Sequence, residues 1–228
     1  MDINGNISDI RQRMNQAAAM SGRNPSEIKL LAVSKTMSSD VVRCAYEAGQ
    51  RAFAENKVQE WQEKVDHLPE DCEWHLVGRL QTNKVKYLDT RITLIHSLDR
   101  ISLLKALEHH GAQRQMIWPT LVQVNIARDP QKAGLLDEEV EDFLSEVARC
   151  EHVRVHGLMT IGALGASQEE TQGYFRQLRL LNERLQVNNI PHVALKELSM
   201  GMSHDFEWAI QEGATMIRVG RQIFGERS

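Results

Sequence analysis

Eight short apolar runs, each followed by a segment of helical character, divide this chain, and that alternation limits its fold more than any other feature. The runs cover residues 28–34, 51–54, 74–77, 93–96, 121–126, 153–159, 194–200 and 216–219. Few polar residues interrupt them, as expected of strands covered on both faces. The segments between them carry helix signals. Ser38 can cap a helix through Val41, Val42, Ala45 and Ala48 that stops at Gly49, and a polar helix follows at 56–67. Further helices are expected at 82–88, after Asp99 as far as Gly111, after Asp137, after Ser167 and after Ser203 as far as Gly213. Ser167-Gln168-Glu169-Glu170 fits a capping box. An extra helix at 7–20 precedes the first strand, with Gly22 beyond its end. Order and number predict an α/β chain folded as a single (β/α)8 TIM barrel with an extra N-terminal helix, one domain over residues 1–228. An open doubly wound sheet is the alternative.

The formal net charge of −4 argues against nucleic acid as the main partner, because no basic excess is available for phosphates. The polar N-terminus lacks the apolar core of a signal peptide, and no run is long enough to span a membrane. Cys44, Cys72 and Cys150 are odd in number and form no Cys-x-x-Cys pair, which suits reduced thiols in a cytoplasmic protein. His109 and His110 are adjacent and share no helix face, and no metal-ligand spacing occurs, so no metal is expected. Gly162-Ala163-Leu164-Gly165 lacks the Gly-Lys-Ser/Thr of a nucleotide loop and reads as a plain loop. His75, inside the third strand, reads as a packed, hydrogen-bonded residue.

Barrel sites are built where strands end. The first strand ends at Lys35, in Leu30-Leu31-Ala32-Val33-Ser34-Lys35-Thr36. An ammonium drawn out of water tends to lose its charge, and a neutral amine can attack an aldehyde; the same lysine could also simply snorkel to solvent. The seventh strand ends in Ser199-Met200-Gly201-Met202-Ser203 and the eighth in Arg218-Val219-Gly220-Arg221. Small residues there suit the phosphate corner common in this fold. An amine and a phosphate cradle at one mouth suit an aldehyde that carries a phosphate, either pyridoxal phosphate or a sugar phosphate. Arg218 shares a strand face with Met216 and Gly220. Its guanidinium could donate to a pyridine nitrogen and leave it unprotonated, a weak electron sink, or could be a salt-bridged arginine inside the barrel. Lys84 and Lys132, near loops, read as solvated charges that could at most receive a mobile aldehyde.

The segments LLAVSKT, FAENKVQE, WHLVGRLQTNK, IHSLDR, HGLMTI, ELSMGMSHDFEWAIQEGATMIRVG and IFG occur in that order from about residue 24 to the end. Together they resemble the pyridoxal phosphate homeostasis proteins, the YggS/PROSC family. The resemblance implies a barrel similar to the N-terminal domain of alanine racemase, with pyridoxal 5'-phosphate as cofactor in a Schiff base on Lys35. By the same resemblance, Ser199, Gly201, Gly220 and Arg221 match phosphate contacts, Arg218 matches the arginine facing the pyridine nitrogen, and Asn56 matches a residue beside the cofactor. Two departures occur: Ala54 stands where the family usually has glycine, and Lys57 where many members have an aromatic residue.

The resemblance implies a carrier that takes part in intracellular vitamin B6 homeostasis, touching apoenzymes transiently, with no catalytic residue assigned; a monomer without membrane contact is expected. The alternative is an amino-acid racemase or decarboxylase. Alanine racemases take a second base, a tyrosine, from an additional domain, whereas Tyr46, Tyr87 and Tyr174 all fall in predicted helices and the chain ends at Ser228. A Schiff-base aldolase is the third reading.

Overall fold

Successive side chains of a strand point to opposite faces, and in this chain both faces are apolar. Leu31, Ala52, Ala54, Val77, Leu94, Leu121, Met159 and Met216 pack together as one cluster, the barrel interior. Their neighbours Leu30, Ala32, Phe53, Trp74, Leu76, Ile95, Leu158, Ile217 and Val219 join a second cluster formed with the helices outside. The computed structural model describes residues 2–163 and 165–225. Leu164 of the glycine-containing loop, and Ser228, lie outside the described residues.

The strands are β1 (Lys29–Val33), β2 (Ala52–Glu55), β3 (Glu73–Leu76), β4 (Ile92–Leu98), β5 (Trp118–Gln123), β6 (Val153–Met159), β7 (Val193–Met202) and β8 (Met216–Val219). They pair in chain order, all in parallel, and β8 returns to β1 to close the barrel. The helices are α1 (Ile3–Met20), α2 (Ser39–Glu47), α3 (Val58–Val65), α4 (Ile101–Arg114), α5 (Val140–Val147), α6 (Gln168–Gln186), α7 (Phe206–Gln211) and α8 (Arg221–Phe224). The expected barrel and the extra N-terminal helix are both present. Ile3, Ile7, Ile10, Met14 and Ala17 form the buried stripe of α1, which packs on α2, α7 and α8.

Local signals held where a side chain had one free amide to meet. Ser38 Oγ accepts from Val41 N, and the Ser167–Glu170 capping box forms in both directions. They failed where a stronger partner competed. Asp99 does not cap α4; its carboxylate is taken by Arg100 and lies 3.5 Å from Arg79. Asp137 pairs with Arg128 and opens a 3₁₀ turn instead of capping α5. Ser203 does not cap α7, which starts at Phe206 behind a turn closed by Asp205 Oδ1 accepting from Met202 N at 2.5 Å. Residues 82–87 form a 3₁₀ turn, not an α-helix. β5 lies three residues earlier than expected, because Asn125 turns out of the strand and its side chain bonds Asp129 N and O at 3.1 and 2.8 Å.

Candidate functional site

Leu31 and Val33 face the barrel interior, so the residue two further on is directed to its C-terminal mouth. That residue is Lys35, half-buried in the turn after β1. The turn is gripped from α3 on both sides. Lys64 Nζ donates to Ser34 O at 2.8 Å and to Glu55 Oε1 at 2.7 Å. Ser34 Oγ donates to the same Glu55 oxygen at 2.6 Å. On the other side, Glu60 Oε2 accepts from Thr36 N at 2.8 Å. Thr36 has φ +67, a conformation a β-branched residue rarely adopts, so these contacts hold strained backbone beside Lys35.

Glu55 and Lys64 are 0% and 4% exposed, which makes them a buried ion pair behind the turn. Burial pushes the Glu55 carboxyl up, against the pull of Lys64 and Ser34. Burial also acts on Glu60, but the Thr36 amide with Lys64 and Lys57 leaves its carboxyl below the usual range.

The other side of the mouth is formed by β7 and β8. Arg218 pairs with Leu31 across the β8–β1 seam and is 5% exposed. Its Nη1 donates to Ser199 Oγ at 2.6 Å and its Nη2 to Thr160 O at 2.8 Å. Both acceptors are uncharged. Desolvation draws the guanidinium down to about 10, with Asp205 opposing from further away. Gly220, two residues on, lies against the end of β1: a Cβ there would stand 3.1 Å from Val33 O. Gly201 has φ +91, and a Cβ would come within 2.6 Å of Ala209 Cβ on α7. Gly201→Ala combines a strained backbone with overpacking, so a loss of about 2–4 kcal/mol is expected by chemical denaturation; an unchanged midpoint would contradict the tight β7–α7 approach.

These positions gather Lys35, Arg218 and Gly220 at one mouth. Asn56 follows β2 on the same rim and borders an open cleft of about 430 Å3 lined also by Lys57, Arg79 and Lys84. Ser199 is fully buried between Arg218 and His96, and the Arg221 guanidinium turns to His204 at 3.1 Å. The two family departures differ in place: Ala54 belongs to the interior cluster, while Lys57 is 71% exposed, 3.6 Å from Glu60. Lys132 is held by Gly162 O and sits 3.8 Å from Asp129, and Lys84 lies over the Tyr87 ring.

Sequence reasoning placed Glu55 at the end of the second strand but gave no role to it, nor to Glu60, Lys64 or His96. A charged residue at the fourth position of an otherwise buried strand was the available sign for Glu55. For His96, it was its inward phase beside His75 on the neighbouring strand.

The profile of the family "Alanine racemase, N-terminal domain" matches residues 6–228. The Pyridoxal phosphate homeostasis protein of Aquifex aeolicus is 41% identical over 222 residues, covering 97% of this chain and 96% of that one. The chain belongs to the pyridoxal phosphate homeostasis protein family. Two solved structures of a family member, PipY of Synechococcus elongatus, superpose on it. The form without pyridoxal phosphate has TM-score 0.82 and 39% identity, covering 95% of this chain and 100% of that chain. The form with pyridoxal phosphate bound has TM-score 0.81 and 36% identity, covering 93% and 100%.

The residues of this family member fit that cofactor. Its mouth offers an amine, glycine-containing strand ends for a phosphate, and an interior cation whose hydrogen bonds go to neutral oxygens. Among the described residues no cluster of metal-ligating side chains occurs and no helix is long and apolar enough to cross a membrane.

Proposed function

We propose that this chain binds pyridoxal 5'-phosphate covalently through Lys35 and buffers it for vitamin B6 homeostasis in the cytoplasm, with no turnover of its own. Bound, the cofactor supplies an aldehyde for amines and, when its ring nitrogen is protonated, an electron sink. The observation that carries the reading is Arg218. A buried guanidinium presents only donors and positive charge, which disfavours a proton on the ring nitrogen in front of it. Lys35 provides the capturing amine, and the α3 contacts on Ser34 and Thr36 fix its turn. The phosphate is assigned to the backbone around Gly201 and Gly220 and the first amides of α8, which have no carbonyl partner within that helix. Asn56 borders the cofactor from β2. Arg221 belongs to the same corner in this reading, and Ser199 supports Arg218 beside it. Transient contact with apoenzymes and a monomeric state are parts of the proposal.

A racemase or decarboxylase would need a second positioned acid–base group opposite Lys35. The tyrosines sit on α2, the 3₁₀ turn after β3 and α6, not on strands. Two experiments on the loaded protein separate the readings. An apoenzyme mixed with it is expected to regain activity. Amino acids incubated with it in deuterium oxide are expected to exchange at Cα no faster than with free cofactor. Rapid exchange that Lys35→Ala abolishes would establish an enzyme instead.

A further inference from the structure

A line of polar side chains crosses the barrel interior and ends at Arg218. It starts at the N-terminal end, where Glu73 opens β3 and pairs with Lys29 of β1. Glu73 Oε2 lies 3.8 Å from His75 Nε2, beyond a hydrogen bond. His75 Nδ1 meets His96 Nε2 at 3.0 Å, and His96 Nδ1 meets Ser199 Oγ at 2.9 Å. Ser199 Oγ receives Arg218. The two imidazoles are 1% and 0% exposed, on adjacent strands.

Arginine has donors only, so Ser199 Oγ must accept from Arg218. Two proton arrangements remain for the rest of the line. In the first, Ser199 donates to His96 Nδ1, His96 Nε2–H donates to His75 Nδ1, and His75 Nε2–H faces the Glu73 carboxylate. In the second, every proton is reversed. Then a bare lone pair of His75 Nε2 faces that carboxylate, and the Ser199 proton needs an acceptor in the mouth. Glu73 is ionised: it is paired with Lys29, and its carboxyl lies below the usual carboxylate range. Burial holds both histidines below their usual range, with Arg218 adding to the effect on His96. The titratable groups acting on His75 are Lys29, Glu73 and Glu197, and those acting on His96 are His75 and Arg218. A neutral pair with an anion at the Nε2 end favours the first arrangement.

We propose that His75 and His96 are positioning residues for Arg218: set by Glu73, they lock Ser199 as a donor to His96 and an acceptor from Arg218, and so aim the guanidinium at the barrel mouth. Ser199 then contributes to cofactor binding through Arg218, and its hydroxyl is not a donor to the phosphate. The inference deepens the reading of Arg218 as the group facing the cofactor ring, and rests on it.

Nitrogen-15 spectra of histidine-labelled protein test it, first without ligand and then with pyridoxal phosphate. Both rings are expected as the neutral Nε2–H form in each state. Glu73→Gln, at the partly exposed end, removes the anion; its amide can donate or accept. In that variant His75 is expected to populate both tautomers. The pH midpoint of the bound cofactor's visible absorbance is then expected to move by about half a unit, the scale of one altered hydrogen bond. Nδ1–H on either ring in the free protein overturns the inference. So does movement of the His96 proton to Nδ1 when the cofactor binds, because Ser199 has then turned to the phosphate. So does an E73Q protein whose tautomers or cofactor midpoint match the parent. The ligand-free spectra need no cofactor. Failure of the functional reading would appear separately, as parent protein whose absorbance does not change when pyridoxal phosphate is added.

Discussion

Lys35→Ala is expected to fold as the parent does and to lose covalent capture of pyridoxal phosphate entirely. Lys35 is half-buried in the turn beyond the end of β1, outside the strand that packs the barrel. The turn itself is held through Ser34 and Thr36, whose contacts remain. A ligand that binds only the folded state at about 100 times its dissociation constant stabilises by about 2.7 kcal/mol. In a chain of this size that raises the melting temperature by about 5–10 °C. The parent should gain that much with pyridoxal phosphate and turn yellow. The variant should stay colourless and gain only what the phosphate corner and Arg218 supply without the covalent bond. A variant that turns as yellow as the parent, with the same thermal gain, would remove Lys35 from its role.

Lys64→Ala is expected to be the most damaging single change for stability outside the barrel core. It leaves Glu55 fully buried without its cation, and the other carboxylate oxygen, Oε2, already has no hydrogen-bond partner among the described residues. Breaking one member out of a buried pair costs about 3–5 kcal/mol. Replacing both members by apolar residues of similar volume costs far less, so Glu55→Leu combined with Lys64→Met should recover most of the loss. Denaturant titration checks the order of the three proteins. If the single variant melts with the parent, the buried pair does not support the turn. If the single variant also slows capture of pyridoxal phosphate, the contact from Lys64 to Ser34 O matters to the geometry of Lys35.

The residues that decided the fold were legible because they act locally or by repetition. Inward and outward apolar phases, such as Leu31 against Leu30 and Ala32, require only the period of a strand. Ser38 and Ser167 needed only the next turn of chain. Lys35, Arg218 and Gly220 were legible as strand ends, since a barrel directs those positions to one mouth. The supports were not. Glu55 meets Lys64 nine residues on, and His96 meets Ser199 across 103 residues, so neither contact exists until the strands are in register. Asp99 and Ser203 misled for the opposite reason: each had the right residue type for a cap, while Arg100 or the Met202–Asp205 turn offered a different local solution.

The central claim is that Lys35 is the residue that takes the cofactor. Borohydride reduction of the protein loaded with pyridoxal phosphate, followed by digestion and mass mapping, tests it most directly. The expected result is one phosphopyridoxyl group per chain, on the peptide containing Ser34-Lys35-Thr36. A stoichiometric label on another lysine, with Lys35 unmodified, would contradict the account.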